Sequence, residues 1–151
     1  MIPLRLGAGK EAGVAGREEL LSAGWALADM PFHWKIDSAQ RYVEVQAEGP
    51  VTVQECLDMF RAFADVKCLD YRKLYDVRKA VAAFTAEDIM TVAVAVREYH
   101  QQARMGPLAI VATSEQTVRF RQLLGALAVA DRAMRLCATV GKARRWLASL
   151  D

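Results

Sequence analysis

Leu108-Ala109-Ile110-Val111-Ala112 is an uninterrupted apolar run of strand length, preceded by Gly106-Pro107 and followed by Thr113-Ser114. A strand with no polar position has no face to offer water, so both faces must be covered. In a small chain the usual cover is helices carried on crossover connections. This one segment therefore points to a layered α/β fold.

The surrounding sequence alternates accordingly. Residues 32–36 and 42–47 are short strand candidates, joined by Asp37-Ser38-Ala39-Gln40, a turn by composition. Tyr42, Val43, Val45 and Ala47 interleave with Glu44, Gln46 and Glu48, so the second strand is expected to leave one side wet. Gly49-Pro50 ends it. Thr52 and Glu55 then stand at capping-box spacing ahead of a helix with Val53, Leu57, Phe60 and Ala64 on one stripe, widened by Cys56 and Phe63.

Residues 73–77 read as a brief strand ending at Asp76. Thr85 caps a long helix with acids, Glu87 and Asp88, in its first turn, and Ile89, Val92, Val96, Tyr99 and Ala103 along its buried face. After the apolar run, Thr113-Ser114 can cap a helix carrying Phe120, Leu123, Leu124 and Leu127 inward, with Arg119, Arg121 and Gln122 outward. Residues 134–138 form a short edge strand and 140–150 a final helix. The order is β-β-α-β-α-β-α-β-α, a hairpin feeding right-handed crossovers into a small mixed sheet of about five strands.

The first thirty residues break this pattern. They hold five of the nine glycines and keep neither period. A signal peptide would place its apolar segment at 20–28, but Glu18 and Glu19 abut it where positive charge belongs. Gly7-Ala8-Gly9-Lys10-Glu11-Ala12 fits a dinucleotide loop, yet residues 1–6, with Pro3 and Arg5, make a poor buried strand to deliver it. Glu11 after Gly9-Lys10 rules out a P-loop. Residues 1–30 are expected to be a leader, poorly ordered or with a short helix over 17–28, and residues 31–151 the α/β domain. The convincing strand sequence directly after Met30 also suits a later start.

With 54% apolar residues in 151, the chain can fill one core, and no apolar stretch approaches the ~20 residues of a membrane helix. Cys56, Cys68 and Cys137 have no ligand spacing and behave as reduced thiols, which suits the cytoplasm. His33 and His100 lack a second ligand at metal spacing, and none of Ser22, Ser38, Ser114 and Ser149 sits in a nucleophile elbow. No catalytic set, metal or cofactor is expected. Residues 117–151 carry seven basic and two acidic residues, a local +5, against ten and twelve over 31–116. No aromatic interleaving accompanies these arginines, so nucleic acid is disfavoured and a solvated helix face suffices.

Loops at the carboxyl ends of α/β strands are where partners are met. The segment Asp76-Val77-Arg78-Lys79, with Thr85 beyond it, is therefore the candidate interaction loop; the plainer reading is a turn hydrogen-bonded by Asp76 with Arg78 and Lys79 merely solvated. Met90 and Val94, off the main stripe of the long helix, fit either an apolar ligand in a crevice against the sheet, a second core layer or a homodimer surface.

Across residues 31–150 the layout resembles the STAS-like domains, in their SpoIIAA-like branch related to anti-sigma-factor antagonists and sulphate-transporter modules. The resemblance rests on Glu48-Gly49-Pro50-Val51-Thr52, Leu74-Tyr75-Asp76-Val77-Arg78, Pro107-Leu108-Ala109-Ile110-Val111 and Ala143-Arg144-Arg145-Trp146-Leu147. It implies helices chiefly on one sheet face, no cofactor, and work by protein docking or, in lipid-transfer relatives, by apolar ligand binding. Regulatory members phosphorylate a hydroxyl just after the acid-ended strand. Here Val77-Arg78-Lys79 follows Asp76, and the next hydroxyl is Thr85. The expectation is a bacterial, non-enzymatic interaction module without that switch.

Overall fold

The computed structural model describes residues 2–5, 31–81, 84–127 and 132–150. Its centre is the apolar run: β5 (Leu108–Val111) is buried at all four positions. It pairs in parallel with β4 (Arg72–Val81) on one side and β6 (Met134–Cys137) on the other. On its far side β4 runs parallel to β3 (Tyr42–Pro50), which forms an antiparallel hairpin with β2 (Phe32–Asp37). The Asp37 carboxylate accepts from the Gln40 amide at 3.0 Å, fixing the expected turn.

A sixth strand, β1 (Ile2–Arg5), lies antiparallel on the outer edge of β2, giving the order β1-β2-β3-β4-β5-β6. No strand was expected there. An edge position tolerates Pro3, which a buried strand would not, because one side of an edge strand needs no ladder donor. The glycine loop at 7–12 and the helix expected over 17–28 lie outside the described residues.

The helices are α1 (Val53–Asp65), α2 (Ala86–Gln102), α3 (Ser114–Leu127) and α4 (Val140–Ala148). The expected capping box of Thr52 with Glu55 forms, and the expected Thr85 cap is also a full box, closed by Asp88. A third closes α3, where Thr113 Oγ1 accepts from the Gln116 amide (3.2 Å) and Gln116 Oε1 from the Thr113 amide (2.9 Å). Each satisfies donors that the first helical turn leaves orphaned.

The sheet buries two unequal faces. Against one lie α1, α2 and Phe120 of α3, enclosing Trp34, Val43, Val45, Phe60, Phe63, Val92 and Val96. Trp34 and Phe63 meet edge to face at 5.2 Å. Against the other, α4 alone covers Leu74, Ala109 and Val111 with Ala143 and Leu147. Helices are thus chiefly on one face, as expected. The side chains of Leu123, Leu124 and Leu127 lie outside the described residues.

Gly106 closes the approach to β5. Its amide donates to Leu69 O at 2.9 Å, and a methyl group at this position would collide with the carbonyl oxygens of Asp70 and Tyr71. Beside this turn sits Lys73, fully buried at 0% exposure, its ammonium donating to Leu69 O (2.6 Å) and Tyr71 O (3.0 Å).

Candidate functional site

The brief strand expected over 73–77 is longer. β4 continues through Val81 because β3 continues with it through Pro50, past Gly49 at φ +75°. Register shifts on the way: Gln46 pairs with Asp76, but Glu48 pairs with Lys79, so β4 carries one extra residue. That bulge leaves Arg78 and Lys79 exposed in succession and breaks the period of two that would have marked the strand.

Asp76 is therefore not the end of a strand. It is the last rung shared with β5, opposite Val111; beyond it β4 is paired with β3 alone. Its carboxylate accepts from Arg78 three times, from the amide (3.3 Å), Nε (3.0 Å) and Nη2 (2.8 Å). Hydrogen bonds from Arg78 hold the Asp76 carboxyl below the ordinary carboxylate range, against the opposing pull of burial. The same pairing pushes the Arg78 guanidinium above its ordinary value.

The four residues of the expected interaction loop are thus only partly brought together. Asp76 and Arg78 form one bidentate pair within a strand, and no loop separates them. Lys79 faces Glu48 at 4.0 Å, both well exposed. Thr85 spends its hydroxyl on the Asp88 amide (3.1 Å) at the start of α2.

What assembles at this end of the sheet is a groove of about 680 Å³, walled by the projecting end of β4, the start of α2 and the first turns of α3. Its apolar lining is Val81, Phe84, Ile89 and Phe120, with Arg78 and Arg119 among its polar members. Val81 is 62% exposed. Gln116 ties the walls together, its Nε2 donating to Val77 O (2.8 Å) and Ala80 O (3.2 Å). Those carbonyls lie on the stretch of β4 that β5 no longer accompanies. Sequence reasoning missed this glutamine, although Thr113-x-x-Gln116 has the capping-box spacing.

Elsewhere the singled-out groups serve the fold. His100 Nδ1 accepts from the Met105 amide at 3.2 Å, closing the end of α2. All three cysteines are free, and burial pushes the Cys56 and Cys68 thiols up to about 12 and about 11. Among the described residues no three His, Cys, Asp or Glu side chains could share a metal ion, and no helix is long and apolar enough to cross a membrane. Met90 (52% exposed) and Val94 (43%) face outward from α2, so they line no crevice against the sheet.

No family model matches the chain, and no curated protein matches it by sequence. Among solved structures it is similar to an uncharacterised protein of the DUF3478 family with a SpoIIAA-like fold, from Shewanella loihica PV-4. The similarity covers 77% of this chain and 91% of that one, with a TM-score of 0.51 and 15% identity. The fold is SpoIIAA-like. At that identity the likeness carries architecture alone, and it agrees with the resemblance read from residues 31–150. In this SpoIIAA-like domain the position after Asp76 is a strand bulge occupied by Val77 and Arg78.

Proposed function

We propose that this SpoIIAA-like domain is a non-enzymatic interaction module of the cytoplasm that docks a partner protein in the groove beside β4. The docking segment is apolar. The observation that carries this reading is Val81, a large apolar side chain left 62% exposed beside the partly buried Phe84, Ile89 and Phe120. Water-facing apolar side chains gathered in one concavity at the carboxyl ends of parallel strands are the usual mark of a contact site. The rim is mixed in charge: Arg119 and Glu115 both line it, and Arg78 is paired with Asp76. Asp76 is bound to Arg78 and Thr85 to Asp88, which supports a non-catalytic role for those two groups.

The test places a photo-crosslinking residue at Ile89 in the native host, with and without Val81→Glu. A discrete protein adduct that disappears in the Val81→Glu background supports docking. Adducts indifferent to Val81, or turnover of a substrate by the purified domain, overturn it.

A second reading, an apolar small molecule or lipid in the same groove, is favoured by its volume, which lies in the ~300–1,000 Å³ span of small-molecule sites. The crevice between the long helix and the sheet is filled by Val92, Ala93 and Val96, so the ligand would sit at the start of α2. Native mass spectrometry decides: a bound mass in the wild type that Val81→Glu removes favours the ligand over the protein.

A further inference from the structure

A second recess, of about 450 Å³, lies on the other side of the sheet between β6 and α4. The two-residue period of β6 directs Arg135 and Cys137 to one face, and spacings of three and four along α4 set Lys142, Arg145 and Trp146 on one stripe. All five line the recess. The ion pairs among the described residues engage Arg41, Arg78, Lys79 and Arg144, but none of Arg135, Lys142 and Arg145. The contrast with Arg144 is sharp, since that neighbour reaches Glu44 at 2.7 Å.

The placement of these charges opposes the helix. Lys142 lies in the first turn of α4, which contains no acid. Arg145 turns back along the axis until its Nη1 is 3.9 Å from the position a side chain on Gly141 would take. Both cations thus approach the positive end of the helix dipole, where an anion belongs and a cation is repelled. The amides of Val140 and Gly141 precede the first intrahelical bond, from the Ala143 amide to Thr139 O. Folding does not ask for two cations beside a positive helix end, with a third, Arg135, lining the same recess.

We propose that this recess binds a phosphate ester, its oxygens held by Arg135, Lys142 and Arg145 and its organic part against the Trp146 indole. Guanidinium and ammonium donors suit phosphate, and the half-buried indole gives a flat apolar wall for an attached ring or chain. The site is separate from the groove beside β4, so neither assignment depends on the other. The same chemistry is offered by a free nucleotide-sized ligand and by a phospholipid headgroup.

The test titrates the protein with pyrophosphate and with ATP by calorimetry, following the Trp146 indole N–H by NMR. Co-sedimentation uses phosphatidylcholine vesicles with and without phosphatidylinositol phosphate. Arg135, Lys142 and Arg145 are all exposed, so the Arg135→Gln/Arg145→Gln variant should fold as the wild type does, checked by circular dichroism. Saturable binding, weakened at least about tenfold in the double variant but unchanged in Arg144→Gln, supports the site. Preference for ATP or for the phosphoinositide vesicles then identifies the source. Absence of saturable binding to every probe, equal affinity in the double variant, or equal loss in Arg144→Gln overturns it.

Discussion

Lys73 is the buried charged residue of the described core, and its surroundings decide how it titrates. Its ammonium meets two backbone carbonyls and stands 5.8 Å from the Phe63 ring, with no carboxylate at ion-pair distance among the described residues. Burial, reinforced by Arg132, pushes it down from 10.5 to about 7, while Cys68 and Asp70 pull weakly the other way. Between those values the unfolded chain binds more protons than the folded one, so stability rises with pH through that window. The slope approaches about 1.4 kcal/mol per pH unit. In urea unfolding between about pH 7 and about pH 8.5, the wild type should gain roughly 2 kcal/mol relative to Lys73→Met. Both proteins carry the same buried cysteines, so thiol ionisation in the unfolded chain cancels in the comparison. Parallel pH slopes for the two proteins would refute a desolvated ammonium. Gly106 is constrained by sterics instead: Gly106→Ala forces a methyl group into two carbonyl oxygens and should cost about 3 kcal/mol or more in the same assay.

At the scale of elements, what was legible in the sequence was what local chemistry fixes. The apolar run gave β5, and Thr-x-x-acid spacings gave the starts of α1 and α2. Thr85→Ala should lower stability by about 1 kcal/mol by thermal unfolding, as the loss of one helix cap requires. The full length of β4 was not legible, because it depends on a bulge that puts Arg78 and Lys79 outward together and on pairing with a strand thirty residues away. β1 was missed for a related reason: an edge strand needs neither alternation nor freedom from proline. Gln116 joins helix to strand end through contacts of 39 and 36 residues' separation, which no local pattern records. Gln116→Leu leaves the carbonyls of Val77 and Ala80 without this donor and should cost about 1–3 kcal/mol. Faster amide exchange confined to residues 77–81 would locate the loss; uniform protection would refute the tie.

For the whole molecule, the layered architecture followed from one strand that needed cover on both sides, and the likeness to a SpoIIAA-like structure at 15% identity fits a fold specified by pattern. The candidate site was less accessible to sequence reading. Its apolar lining comes from three separate elements, and only the topology makes Val81, Ile89 and Phe120 neighbours. Because Val81 is 62% exposed, Val81→Glu should shift thermal unfolding by no more than about 0.5 kcal/mol equivalent while abolishing partner capture. A large loss of stability would make Val81 a structural residue and remove the groove from consideration.

β5 stops at the rung of Asp76, while β3 and β4 run on together to Pro50 and Val81. The pair is an overhang, rooted in the body of the sheet, braced along its length by the Gln116 amide and tied at its tip by the Val51 amide, which donates to Val81 O at 2.9 Å. A wall braced at tip and root stands without a third strand beside it, so the opening it borders has its shape before any occupant arrives.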